Sequence, residues 1–169
     1  YARSGGESRK VLSRDEIRIV GLHNVENYMA AIAATEGLVS DETVRKIAKE
    51  FPGVRHRIEE VCERDGVKYY NSSIDTTPSR TIAALNSFDR SPVVICGGSD
   101  KNLPLEPLVD VLMKKAKYIV LTGTTGVKLK ALLSAAGCDK FAYEGDFKRA
   151  VKLAASRAEK GDAVLLSPA

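Results

Sequence analysis

Val93-Val94-Ile95-Cys96-Gly97-Gly98-Ser99-Asp100-Lys101 is an unbroken apolar run that stops at a pair of glycines and passes into charge. A strand with one wet face alternates apolar and polar residues. A strand apolar at every position is buried on both faces, as in a parallel sheet covered by helices on each side. Tyr118-Ile119-Val120-Leu121 and Ala163-Val164-Leu165-Leu166 repeat the pattern. Between these runs the apolar spacing turns helical, over residues 105–115, 126–135 and 147–159. Short buried strands alternating with amphipathic helices predict an α/β fold: a mainly parallel sheet with helices on both faces.

Working outward toward the amino terminus, residues 58–64 and 67–71 flank Asp65-Gly66, the dipeptide of a tight hairpin turn. Pro78 suits the first turn of a helix that continues over residues 81–88. Before residue 54 the pattern is different. Residues 1–14 read as a frayed tail or the last hairpin of something larger, and residues 17–20 as a short strand. A helix opens at Gly21 and runs to about residue 36, with Gly37 placed to cap it. A second helix starts at Ser40 with Asp41 and Glu42 in its first turn, where acids suit the helix dipole. Its apolar face is Val44, Ile47, Ala48 and Phe51, and Pro52-Gly53 ends it. The chain therefore divides into a tail and helical segment, 1–53, that needs a neighbouring domain, and a sheet domain, 54–169.

Composition narrows the function classes. At 169 residues, 44% hydrophobic and 28% charged, this is an ordinary globular composition. The net charge of +4 is dispersed, aromatics are 6% and Trp is absent, which argues against a nucleic-acid surface. No apolar run approaches the ~18 residues of a membrane span, and the polar start is not a signal peptide. Cys62, Cys96 and Cys138 have no metal spacing; reduced, buried thiols of a cytoplasmic protein are the expectation. The absence of an initiator Met at Tyr1 fits a piece of a longer protein.

Neither a Gly-x-x-x-x-Gly-Lys-Ser/Thr loop nor a Gly-x-Gly-x-x-Gly turn occurs, and two histidines without Cys/His spacing do not make a zinc site. Gly123-Thr124-Thr125-Gly126 fits an ordinary strand-to-helix turn better than an anion site. The polar residues worth attention follow strands, at the carboxyl edge where parallel sheets bind ligands. After Gly97-Gly98, whose missing side chains let backbone approach a ligand, Asp100-Lys101 offers a partnered cation. Lys101 is then a carboxylate-binding group or one half of a surface ion pair. Arg57 is a phosphate or ribose contact, or a hairpin cap. Asn24 and Asn27 share one helical face and suit either a nucleotide or backbone groups at a domain junction. Ser72, Ser73, Asp75, Thr76 and Thr77 crowd the six positions before Pro78, more small polar groups than helix capping requires.

In order along the chain, His23-Asn24-x-x-Asn27, Phe51-x-Gly53-x-x-His56-Arg57-x-Glu59, the stretch from Asn71 to Thr77, Gly97-Gly98-x-Asp100-Lys101 and Gly161-Asp162-x-Val164-Leu165-Leu166-Ser167-Pro168-Ala169 resemble the Mur ligases, nearest their D-glutamate-adding branch. The resemblance implies an ATP-dependent amide ligase of peptidoglycan precursor synthesis, working through an acyl phosphate. It also implies a cytoplasmic monomer that uses ATP, Mg2+, D-glutamate and UDP-N-acetylmuramoyl-L-alanine. Residues 1–53 would close the central ATPase domain. Residues 54–169 would be the Rossmann-like carboxyl-terminal domain, short of its end and inactive alone. Carried over, Asn24, Asn27 and Arg57 would face ATP, and Thr76, Lys101 and Ser167 would hold D-glutamate. Many members carry Asp-Ser-Lys where this chain has Ser72-Ser73-Ile74, so Ser72 and Asp75 toward the nucleotide, and Arg80 toward the amino acid, are the stand-in candidates. Metal ligands and the phosphate loop would lie upstream. A folylpolyglutamate synthetase of the same superfamily, or a non-catalytic Rossmann-like binding module, are the alternatives.

Overall fold

In the computed structural model, which describes residues 2–4 and 7–169, the chain divides into two compact units, 1–53 and 54–169. In the first, β1 (Ala2–Ser4) and β2 (Glu7–Arg9) pair antiparallel. A single 3-10 turn, Arg14–Glu16, leads to helices α1 (Leu22–Ala34) and α2 (Asp41–Glu50). Ser40 caps α2, its hydroxyl accepting the Thr43 N–H at 3.2 Å. The Arg9 guanidinium forks onto Glu36 at 2.9 Å and Asp41 at 3.0 Å, binding β2 to the ends of both helices. Val11 and Ala48 are buried within this unit.

The strand expected at residues 17–20 does not form. The Arg18 N–H donates instead to the Ala48 carbonyl at 3.0 Å, near the end of α2, so this segment satisfies a helix terminus. Of the four apolar positions expected on α2, Ala48 is buried, whereas Ile47 and Phe51 remain exposed.

The second unit is built on a six-stranded sheet in the order β3-β4-β8-β5-β6-β7. Its strands are β3 (Glu59–Arg64), β4 (Val67–Asn71), β5 (Val93–Gly98), β6 (Tyr118–Thr122), β7 (Phe141–Tyr143) and β8 (Ala163–Leu166). All neighbours run parallel except the β3–β4 hairpin. Asp65 and Gly66 turn that hairpin with φ of 55° and 75°, the double left-handed pair that Asp-Gly favours. Four helices connect the strands: α3 (Pro78–Leu85), α4 (Glu106–Lys115), α5 (Gly123–Ala135) and α6 (Phe147–Ser156).

Strand alternation divides the core in two. Val94, Cys96, Ile119, Leu121 and Leu165 face α3, α4 and α5, where Leu85, Leu108, Leu112, Leu129 and Leu133 are buried. Val93, Ile95, Val120 and Val164 pack with Ala150 and Ala154 of α6. Both faces are covered, which is why these strands are apolar throughout.

Three expectations about this unit need correction. Strand β7 is added at the sheet edge. Helix α5 begins three residues earlier than its periodicity indicated, at Gly123. Cys62 is exposed, because β3 is an edge strand whose residues beyond Glu59 all face solvent.

Candidate functional site

Strands β4, β8, β5 and β6 run parallel, so the segments that follow them gather at one edge of the sheet. Those segments contain most of the residues singled out above. Register does the gathering: Asn71 pairs with Leu166, Ile95 with Leu166, and Gly97 with Thr122.

The Lys101 ammonium donates to the Thr76 hydroxyl at 2.7 Å. This bond joins the loops after β4 and β5, which lie on either side of β8. Asp100 was expected to partner Lys101, but its carboxylate meets the Lys128 ammonium of α5. That hydrogen bond, with the Asn102 N–H at 3.0 Å, holds the Asp100 carboxyl below the usual carboxylate range. The Asp100 N–H is also bound, to the Thr124 hydroxyl at 3.1 Å, and Thr124 donates in turn to the Gly98 carbonyl at 3.0 Å. Asp100 thus fixes the loop while Lys101 stands exposed beyond it.

Gly97 has a steric reason of its own. A Cβ on Gly97 would lie 1.9 Å from the Thr122 carbonyl oxygen, and one on Gly123 2.7 Å from that of Gly98. The ends of β5 and β6 approach too closely for side chains. At Gly97 the missing side chain admits the Thr122 backbone, whereas a Cβ on Gly98 would meet only the Pro168 Cβ, at 3.7 Å.

The loop after β4 is bound to the turn before β3. The Asn71 amide nitrogen lies 2.9 Å from His56 Nδ1, the Ile74 N–H donates to the His56 carbonyl at 3.2 Å, and the Ile58 N–H donates to the Ser72 hydroxyl at 3.0 Å. Arg57, between His56 and Ile58, is exposed on this turn. Ser72 and Asp75 lie together underneath, with the Ser72 hydroxyl donating to Asp75 Oδ2 at 2.5 Å. Arg80 is exposed on the first turn of α3.

After β8, the Ser167 hydroxyl is fully buried and donates to Thr81 Oγ1 at 3.1 Å, and Thr81 donates to the Pro168 carbonyl at 2.8 Å. Ser167 is therefore placed beneath the edge, joined to α3. In the first unit, Asn27 Nδ2 donates to Asn24 Oδ1 at 3.3 Å, so these two amides do share one helical face. Asn24 itself donates to the Val20 carbonyl at 2.6 Å.

Thr81, Thr124, Lys128 and His56 shape this edge and were not singled out from sequence as site residues. Thr124 stood in the Gly123–Gly126 turn and His56 in the Phe51–Glu59 motif, and the Thr124 hydroxyl is used internally. At the opposite edge, where β4 and β8 begin, a cavity of about 400 Å³ is lined by Lys68, Tyr70, Arg90 and Asp162 among others. Of its charged groups, Lys68 is paired with Glu60 and Arg90 with Asp162.

The second unit is thus a parallel α/β domain whose polar groups converge at the carboxyl edge. Residues 56–169 match the family model described as Mur ligase, glutamate ligase domain, and the chain belongs to the Mur ligase family. It is similar to UDP-N-acetylmuramoylalanine–D-glutamate ligase of Clostridium beijerinckii, 45% identical over 96% of this chain and 37% of that protein. It is likewise similar to the enzyme of the same name from Ruminiclostridium cellulolyticum, 42% identical over 95% of this chain and 36% of that protein. The chain therefore spans little more than a third of the curated relatives it matches. Among solved structures, it superposes on UDP-N-acetylmuramate-alanine ligase from Thermotoga maritima with a TM-score of 0.72, at 18% identity over 90% of this chain and 35% of that one. Mycobacterium tuberculosis folylpolyglutamate synthase complexed with ADP gives a TM-score of 0.67, at 16% identity over 90% of this chain and 38% of that one. At such identities these two structures speak for the fold alone.

Proposed function

We propose that this chain is part of an ATP-dependent ligase that joins D-glutamate to UDP-N-acetylmuramoyl-L-alanine in peptidoglycan precursor synthesis. The first unit is the end of its central ATPase domain, and the second is its amino-acid-binding carboxyl-terminal domain. The single observation that carries the reading is the Lys101–Thr76 pair, an exposed ammonium beside a hydroxyl at the carboxyl edge of a domain of this family. The names of the relatives point to the same amino acid.

In the proposed reaction, a carboxylate oxygen of UDP-N-acetylmuramoyl-L-alanine attacks the γ-phosphorus of ATP and ADP leaves. The amino nitrogen of D-glutamate then attacks the acyl carbon. The bond from that carbon to the phosphate oxygen breaks, phosphate departs, and the nitrogen gives up a proton. This chain's part is binding and orientation. Lys101 and Thr76 hold a carboxylate of D-glutamate through a charge-assisted contact and a hydroxyl. Arg80, exposed nearby in sequence, is a second cation for the same dianion. Ser167 supports the edge through Thr81, and reaches a carboxylate only by giving up that hydrogen bond. Asn24 and Asn27 in the first unit, and Arg57 in the second, are each assigned to the nucleotide.

Among the described residues no group of three or more His, Cys, Asp or Glu converges to hold a metal ion. Mg2+ enters this proposal only with ATP and the rest of the ligase. Among the described residues no helix is long and apolar enough to cross a membrane. A cytoplasmic monomer acting on soluble precursors, without nucleic acid, completes the proposal.

The test is the full-length ligase containing this chain, supplied with ATP, Mg2+ and UDP-N-acetylmuramoyl-L-alanine. Phosphate release and the mass of the amide product should depend on D-glutamate. Activity on folates with glutamate, and none here, would favour the folylpolyglutamate alternative. The absence of both would favour a binding module.

A further inference from the structure

Ser72 and Asp75 stand where the family resemblance leaves a gap, which made them candidates for contacting the nucleotide directly. Their burial points elsewhere. Ser72 is 0% exposed and Asp75 5% exposed, so neither offers a surface that a ribose or phosphate could touch.

What the pair does touch is a strained turn. His56 and Ile58 adopt φ of 65° and 45°. Left-handed backbone is uncommon for any residue with a side chain, and for β-branched Ile it is an outlier that persists only where surrounding bonds impose it. The Ser72 hydroxyl supplies one such bond. By donating to Asp75 Oδ2 at 2.5 Å it turns a lone pair toward the Ile58 N–H, which it accepts at 3.0 Å. The hydroxyl cannot swing away easily. The Ser72 N–H is fixed to the Leu166 carbonyl at 2.8 Å, and the Ser72 carbonyl accepts the Asp75 N–H at 2.9 Å. On the other side of Arg57, the Glu59 carboxylate accepts the His56 N–H at 2.8 Å.

We infer that Ser72 and Asp75 form a buried clamp that positions Arg57, holding it between two left-handed residues so that its guanidinium is presented in one direction. The pair are positioning residues, acting through Arg57 without meeting the ligand. A side chain on a strained turn loses orientation when the turn relaxes, which links the Ile58 N–H bond to the site. The inference rests on the reading above that Arg57 faces the nucleotide.

The experiment is a double-mutant cycle in the full-length ligase. Arg57→Ala, Ser72→Ala and the double variant are compared for the KM of ATP and of D-glutamate, with thermal melts to verify folding. Loss of the clamp hydrogen bond should raise the ATP KM about three- to tenfold in Ser72→Ala. In the Arg57→Ala background the same change should add less than about twofold, since its effect passes through Arg57. Asp75→Asn, which keeps an acceptor for the Ser72 hydroxyl, should raise the ATP KM less than Asp75→Ala does. That comparison carries the test if Ser72→Ala fails to fold.

Effects that multiply in the double variant would overturn the clamp. So would a lowered melting temperature in Ser72→Ala with an unchanged ATP KM. If Arg57→Ala itself leaves the ATP KM unaltered, the nucleotide reading of Arg57 fails, and the inference falls with it. A raised KM in Arg57→Ala with none in Ser72→Ala overturns the clamp alone.

Discussion

The Lys101 ammonium rests 2.7 Å from the Thr76 hydroxyl, although 25 positions separate the two residues in the chain. Neither residue is on a strand. They meet because β4 and β5 run in the same direction with β8 between them, so the loops leaving both strands open on one edge. A cation held against a neutral hydroxyl has its direction fixed, and a carboxylate arriving there adds a charge-assisted bond to a group already oriented.

The close approach of β5 and β6 at their carboxyl ends sets a steric limit that substitution can test. Gly97→Ala places a methyl 1.9 Å from the Thr122 carbonyl oxygen, in backbone that cannot give way without moving β6. Gly137→Ala meets nothing within 4 Å, yet shares the penalty of a positive φ, 75° against 125° for Gly97. Gly137→Ala should cost about 1 kcal/mol and Gly97→Ala about 3 kcal/mol or more, by urea unfolding. Equal costs would mean that the β5–β6 approach is looser than described.

The sheet was legible where both of its faces are covered, because burial on two sides keeps β5, β6 and β8 apolar up to their carboxyl ends. Legibility failed where burial is one-sided or slight. Strand β7 has three residues, two of them half-buried and one exposed, too few to show a period. Cys62 lies in a strand by pattern, but the pattern does not say that the strand is an edge. Helix α5 was expected to start at Gly126, since Gly123-Thr124-Thr125-Gly126 reads as a turn; Gly123 is there because the Gly98 backbone passes against it. For the candidate site, the sequence singled out loops that meet at the carboxyl edge and not the partners within them. Asp100 and Lys101 are adjacent, yet one turns to Lys128 and the other to Thr76, a choice made by tertiary register. The Asn24–Asn27 contact, which depends only on helical spacing, was readable.

A second ion pair sets the response to acid. Burial alone would push the Asp162 carboxyl up, but the Lys117 hydrogen bond, the Glu159 N–H and the charges of Lys117 and Arg90 outweigh it and leave the group depressed. A depressed carboxyl means that the unfolded chain binds more protons, so this contribution is present above the unfolded value of about 3.9 and is lost as pH falls through the folded value. The Lys117 pKa is raised chiefly by its hydrogen bond to Asp162, at 2.5 Å, and then by that to Glu159. Its share holds below about 10.4 and is lost as pH rises through the folded value. Asp162→Asn should lower stability at pH 7 by about 1–2 kcal/mol and flatten its decline below pH 4. Urea unfolding of both proteins from pH 3 to pH 7 measures this; parallel curves would contradict it.

The isolated chain should neither hydrolyse ATP nor bind it tightly. Its sequence has no phosphate loop whose backbone N–H groups could cradle the phosphates. Calorimetry with ATP and magnesium should give no heat of tight binding. Dissociation in the low micromolar range would point to a nucleotide-binding module complete in itself.

The most direct test of the proposed amino-acid site is Lys101→Ala in the full-length ligase, with ATP and D-glutamate each varied in turn. Loss of a charge-assisted hydrogen bond to a substrate carboxylate should raise the D-glutamate KM about 10- to 150-fold. The ATP KM should stay within about twofold, because on this account Lys101 does not meet the nucleotide. A D-glutamate KM unchanged by the substitution would contradict the account and leave Lys101 a surface cation beside a hydroxyl.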